Sequence, residues 1–333
     1  MREGFRSKSR RVAEKGLAFA LFVAVLYWTT PFWAKPFETS VREAKGAVTE
    51  SEALMNASLQ KLGAIKSLSA DVEFESRFFG ERYFGRGRYE EQATRGSFGA
   101  SRRAPFESVK FSLQVALATS NLEDAREADR EDNFLRVVCD CDALAWWSYS
   151  SINGSKTLRR INLDELWNRF QMLDSEEREA LAERGVGDLN RGASALPGLG
   201  GLLGTLSRIA ASYEFEPEVE AIETEDGARA LKISGVAKEG FRKTLGFSDS
   251  DPTYEDYLAT AVEVLFDADS FFPRRVAFFS SKGKKGRREP VFAVSYFPND
   301  EPVRPEDFNF EQPQSAFEPY EVKYVDGLCG FGE

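Results

Sequence analysis

The sequence predicts an α+β fold: one wide antiparallel sheet curled around a few helices. Three observations predict it. Segment after segment alternates apolar and charged residues with a period of two. Only a few segments carry the three-to-four period of a helix. Phenylalanine is abundant, at 28 of 333 residues, which suits strands and asks for a large apolar interior. A sheet of many meandering strands must hide its apolar face, and curling around helices does so.

Composition excludes several function classes. The chain contains no histidine, which removes Ser-His-Asp and Cys-His catalysis, His-ligated metals and histidine switches. A net charge of −10 argues against a nucleic-acid partner. No metal and no cofactor are expected.

The N-terminus reads as a targeting segment. Arg2, Arg6, Lys8, Arg10, Arg11 and Lys15 precede an apolar run from Leu17 to Trp28, the pattern of a basic and then a hydrophobic region. Cleavage after Ala34 would place Phe32 where a small residue is preferred, so residues 1–34 are either a signal peptide or an uncleaved signal anchor. Export is expected in both cases, to the periplasm, as a soluble or an inner-membrane-anchored protein. Residues 35–50 read as a polar linker.

The elements follow in order. SEALMNASLQKLGAIKSL is an amphipathic helix, with Leu54, Leu59, Leu62 and Ile65 near one face and Ser51 as its cap. In SLSADVEFESRFF the period becomes two: Leu68, Ala70, Val72, Phe74 and Phe78 against Asp71, Glu73, Glu75 and Arg77. RYFGRGRYEEQ is a second strand, whose Gly85 and Gly87 allow a bend or a bulge. Val109, Phe111, Leu113, Val115 and Leu117 alternate in a third. NFLRVVCDCDALAWWSYSSINGSKTLRRINL is a run of strands with turns at DCDA and Asn153-Gly154. The same Asn153-Gly154-Ser155 matches a glycosylation acceptor, which the turn explains without sugar. Asn162 can cap the helix LDELWNRFQML, and Asp174 or Ser175 the helix EEREALAER.

LPGLGGLLGTLSRIAAS, from Leu196 to Ser212, is glycine-rich and apolar at helical spacing. No lysine follows Gly204, and Leu203 stands where a dinucleotide fingerprint needs its third glycine. Arg208 interrupts the run too early for a membrane span. The segment is either a lid over an apolar surface or a core helix whose glycines allow close packing. YEFEPEVEAI then reads as one strand with a solvated glutamate face, Glu214, Glu216, Glu218 and Glu220. ARALKISGVA, TAVEVLFDAD, PRRVAFFSS and EPVFAVSYF are further strands, and GFSDSDPTYEDY is an acidic surface insertion without the EF-hand order.

Three cysteines remain. An oxidising compartment favours Cys329 pairing with Cys139 or Cys141; buried thiols are the alternative.

Five segments resemble the periplasmic lipoprotein-carrier superfamily (LolA-like). ALMNASLQKLGAIKSLSADVEFES resembles its lead helix and first strand, and FGRGRYEEQ its G-x-G-x-Y strand. VVCDCDALAWWSYS is similar to its strand, turn and LW-x-Y strand. LPGLGGLLGTLSRIAASYEF resembles its mid-chain helix leading into a strand, and VEVLFDADSFFPRRVAFF its late strand pair. The resemblance spans Ser51 to Phe310 and leaves 311–333 as a tail. Cys141 stands where a turn glycine is usual, and loops near 185–196 and 242–257 are extra.

The resemblance implies a strongly curved antiparallel half-barrel, with helices covering its concave face and an apolar cavity for acyl chains. Phe74, Phe78, Phe111, Trp146, Trp147, Phe278 and Tyr296 would line it, with Leu202, Leu203 and Leu206 from the covering helix. The implied function is non-enzymatic: an envelope carrier or sensor of acyl lipid or lipoprotein, touching the membrane only through its N-terminal segment. A membrane-tethered domain that binds other envelope proteins, with a filled core, is the alternative. A hydrolase built on Asp140 and Asp142 lacks any accompanying base, nucleophile or oxyanion pattern.

Overall fold

A computed structural model describes residues 48–78, 81–93, 109–119, 121–127, 133–140, 145–152, 155–162, 201–224, 227–238, 259–280, 290–310 and 320–321. The N-terminal segment, the two helices read between 163 and 184, the Asn153-Gly154 turn, both extra loops, Cys141 and Cys329 lie outside the described residues.

The lead helix α1 spans Glu50–Ala64. Its cap is Thr49, not Ser51: the Thr49 hydroxyl accepts from Glu52 N at 3.2 Å, and Glu52 accepts in return from Thr49 N at 3.1 Å. This reciprocal box satisfies two N–H groups at the helix start. Ser51 is buried instead and donates to Glu218 O at 3.0 Å, fixing the helix start to a corner of the sheet. Leu54 and Leu62 are buried, and Leu59 and Ile65 pack at the margin of the same core.

The strands form two successive antiparallel runs. The first comprises β1 (Ser67–Phe78), β2 (Glu81–Ala93), β3 (Val109–Ala118), β4 (Phe134–Asp140), β5 (Ala145–Ile152) and β6 (Ser155–Asn162). The second comprises β7 (Tyr213–Phe215), β8 (Glu220–Glu223), β9 (Arg229–Ala237), β10 (Ala261–Asp267), β11 (Pro273–Phe279) and β12 (Phe292–Asn299). A short helix α2, Leu122–Glu127, lies between β3 and β4, and helix α3, Gly201–Ser212, precedes β7. Among the described residues all strands join one 13-stranded sheet. Its centre is the antiparallel pair β1–β12, from Ser69↔Asn299 to Ser76↔Phe292, which joins the two runs edge to edge. A last strand, β13 (Tyr320–Glu321), adds in parallel to β6 and draws the tail into the sheet.

Two readings of the strands change. YEFEPEVEAI is not one strand: β7 and β8 pair separately with β9, broken where Pro217 lacks an N–H for the ladder. Its four glutamates are solvent-exposed, as the alternation predicts. Gly85 and Gly87 make no bulge, since β1 and β2 pair without interruption from Ser67↔Gln92 to Phe78↔Glu81. The space above Gly85 is filled by the Phe74 ring, which a Cβ there would strike.

The register sorts residues onto two faces. One, the inner face, carries Leu68, Ala70, Val72 and Phe74 of β1 and their partners: Tyr89 on β2, Phe111 and Val115 on β3, Val137 and Cys139 on β4. Val294 and Tyr296 of β12, Val276 and Phe278 of β11, Val262 and Val264 of β10 and Ile233 of β9 complete it. Both α1 and α3 contribute to this core, through Leu54, Met55, Leu62, Leu202, Leu206 and Ile209. Both helices therefore share a core with this face of the sheet.

The segment after β12 crosses the other, outer face. Arg88 of β2 pairs with Glu301, Phe308 is buried in a 3-10 turn (Pro305–Phe308), and Arg136 of β4 donates to Asn309 O at 3.0 Å. Phe310 then stacks on Trp147 of β5, with ring centres 4.8 Å apart. This belt leads towards β13 at the far edge.

Candidate functional site

The alternation of β1, β11 and β12 sets a seam of rings on the inner face. Phe74 stacks on Phe292 with centroids 6.1 Å apart, Phe292 meets Phe278 at 6.5 Å, and Phe278 meets Tyr213 at 6.1 Å. Such offset contacts strengthen burial slightly beyond their area. The seam ends at the first residue after α3, where Tyr213 Oη donates to Ala259 O at 2.8 Å. A second ring pair, Tyr89 and Tyr296, meets edge-on at 5.7 Å.

Helix α3 lies over this face. Leu202, Leu206 and Ile209 are buried in the core, and Leu203 packs against it from the margin. The two ends of the helix are held differently. At the C-terminal end Ser212 runs directly into β7, Lys238 N donates to Ser212 O at 3.0 Å, and Lys238 Nζ reaches Ala210 O at 3.4 Å. At the N-terminal end Leu202 N donates to the buried Glu91 carboxylate of β2 at 2.8 Å. Tyr89 Oη donates to the same carboxylate oxygen. Gly201, at φ +62°, makes this approach; a Cβ there would meet Glu91 and lie 2.9 Å from Val109 Cγ1.

Burial dominates the electrostatics of this spot. It pushes the Glu91 carboxyl above its ordinary range, and the hydrogen bonds from Tyr89 and Leu202 N only partly offset it. Tyr89 and Tyr296 are both raised well above the usual phenol range, first by burial and then by the Glu91 charge.

The predicted lining residues divide. Phe74, Phe111, Leu202, Leu206, Phe278 and Tyr296 belong to one buried cluster, with Leu203 packed against it. Trp147 is separated from them: it lies on the outer face between Phe310 and the Arg160 guanidinium, 5.1 Å from its ring. By register Trp146 pairs with Cys139 and Phe78 with Glu81; their side chains lie outside the described residues. Cys139 is buried one residue before the end of β4, and the other two cysteines lie outside the described residues. Sequence reasoning missed Glu91, although alternation in RYEEQ puts Tyr89 and Glu91 on one face.

Two clefts lined by described residues lie on the outer face. One, of about 620 Å³, is bordered by Asp71, Glu73, Arg86, Arg88, Gln114 and Phe297 among others. The other, of about 340 Å³, lies among Lys232, Glu263, Arg275, Phe279 and neighbours. Among the described residues no group of three His, Cys, Asp or Glu side chains could hold a metal ion, and no helix is long and apolar enough to cross a membrane.

The fold defines an α+β protein with one wide, mostly antiparallel sheet and two helices that share its buried core. The chain matches no protein-family model and no curated protein. It is similar to several solved structures. LprF from Mycobacterium bovis is 10% identical, with a TM-score of 0.32 over 78% of this chain and 97% of its own. A DUF1329 family protein from Desulfovibrio piger is 9% identical, with a TM-score of 0.30 over 78% and 96%. A LolA superfamily protein from Nitrosomonas europaea is 11% identical, with a TM-score of 0.27 over 79% and 99%. At these values the likeness adds no argument to the one made by strand order and buried faces.

Proposed function

We propose that the inner face and α3 form a site for an acyl chain, and that the protein is a non-enzymatic carrier or sensor of lipid or lipoprotein in the cell envelope. In this reading the sheet is strongly curved, the helices cover its concave face, and residues 1–34 export the chain. One observation carries the reading. An apolar helix packs into the same buried cluster as a row of aromatic rings, continuous with the sheet at one end and hydrogen-bonded at the other to a buried carboxylate. Lifting its N-terminal end would offer Phe74, Phe111, Phe278 and Tyr296 to a ligand. Each methylene taken from water into such a site gains about 0.8 kcal/mol, enough over one acyl chain to offset undocking a short helix. Gly204 inside α3 suits a mobile cover, because an interior glycine costs about 1 kcal/mol of helix stability. The resemblance in the five segments quoted above points the same way.

Leu203 is the test position, because it borders the buried layer without being sealed in it. Leu203→Glu is expected to abolish binding of a pyrene-labelled fatty acid while leaving the far-UV circular dichroism unchanged. Undiminished binding would overturn the role of α3. The outer-face clefts favour a second reading, an envelope protein-interaction domain whose inner core is simply full. Native mass spectrometry of the gently purified protein separates the two: an acyl-lipid mass lost on denaturation supports the carrier or sensor, and a clean apo mass supports the interaction domain.

A further inference from the structure

We propose that Glu91 makes the docking of α3 on the sheet proton-dependent, the helix being held most firmly when the carboxyl carries its proton. Glu91 is 6% exposed and lies beneath the first turn of α3. On the neighbouring strands it pairs with Leu68 and Phe111, both apolar. The ionisable groups facing it are the phenols of Tyr89, on its own strand, and Tyr296, on β12. Helix α3 offers it the Leu202 N–H, and Val109 of β3 closes in beside Gly201. Among the described residues no lysine or arginine acts on its carboxyl.

A carboxylate buried without a cation is costly in its charged form. Both hydrogen bonds fall on one oxygen, Oε2. A proton on Oε1 therefore neutralises the group and leaves both bonds in place. When α3 lifts, water reaches the carboxyl and its affinity for the proton returns to the ordinary range. The docked state thus binds the proton more tightly than the lifted state, and linkage requires the proton to favour docking. Docking is firmest below the lifted-state pKa. It weakens as pH rises towards the docked-state pKa and is level above it. Acid tightens the cover and ionisation loosens it.

The inference rests on α3 being the movable cover of the proposed site, but its readout needs no lipid. Amide hydrogen exchange of residues 203–212 is followed in the full chain from about pH 4.5 to 8.5, corrected for intrinsic exchange, with β1 amides as the global control. Protection of α3 is expected to fall by up to about tenfold per pH unit within the window, while β1 does not follow. In Glu91→Gln, α3 protection is expected to be flat with pH and at least wild-type at neutral pH. Tyr89→Phe removes a bond that favours the charged form, so the fall moves to higher pH; this variant carries the test if Glu91→Gln does not fold. Flat wild-type protection, a fall on acidification, or a looser helix in Glu91→Gln would each overturn the proposal while leaving acyl binding standing. Loss of the acyl reading, in turn, does not alter the exchange result.

Discussion

The absence of one carbon at Gly85 gives Phe74 its place in the ring seam. The two residues face each other across β1 and β2, and the ring occupies the space a Cβ would need. Gly85→Ala is expected to destabilise the fold by about 1–3 kcal/mol through overpacking, read as a lower urea midpoint. Adding Phe74→Leu should recover most of the loss, because the two changes share one space. The glycine is visible in the sequence, but its use is not, because the ring filling the gap comes from another strand. Trp147 is the opposite case. A period of two already separates it from Trp146, and the residue that holds it, Phe310, arrives from more than 160 positions away.

At the scale of elements, most of the fold was legible. The alternation in β1 and β10 marks buried positions correctly, because one face of each strand carries charge, whereas β3 and β11 bury residues on both faces. The start of α1 was only half legible: the helix is plain, but Ser51 reads as its cap where Thr49-Glu50-Ser51-Glu52 sets the box on Thr49. Thr49→Ala is expected to cost about 1 kcal/mol, measured by chemical denaturation, whereas Ser51→Ala removes the bond to Glu218 that ties helix to sheet. Helix α3 could be read from its spacing as apolar on one side, but not as fastened by Glu91. A carboxylate in a strand normally marks the wet face, and the exception depends on a helix start more than 100 residues later.

At the scale of the molecule, the joining of the two runs through β1 and β12 was not legible, since both strands offer ordinary alternating patterns to any partner. The belt across the outer face was equally hidden, because its anchors are single residues: Glu301, Phe308, Asn309 and Phe310. Phe308 is 1% exposed, so Phe308→Ala is expected to cost about 3–5 kcal/mol. Thermal unfolding would show that loss, and fatty-acid binding on the inner face should survive at temperatures where the variant remains folded.

The central pair of strands also imposes an order in time. At a ribosomal pace of about 5–20 residues per second, β12 is made about 11–46 s after the β1 residues it pairs with. Throughout that interval the N-terminal half of the sheet has a bare hydrogen-bonding edge, the kind that recruits strands from other molecules. Translocating the polypeptide unfolded, or shielding it with a chaperone until Asn299 has emerged, would spare the cell that hazard.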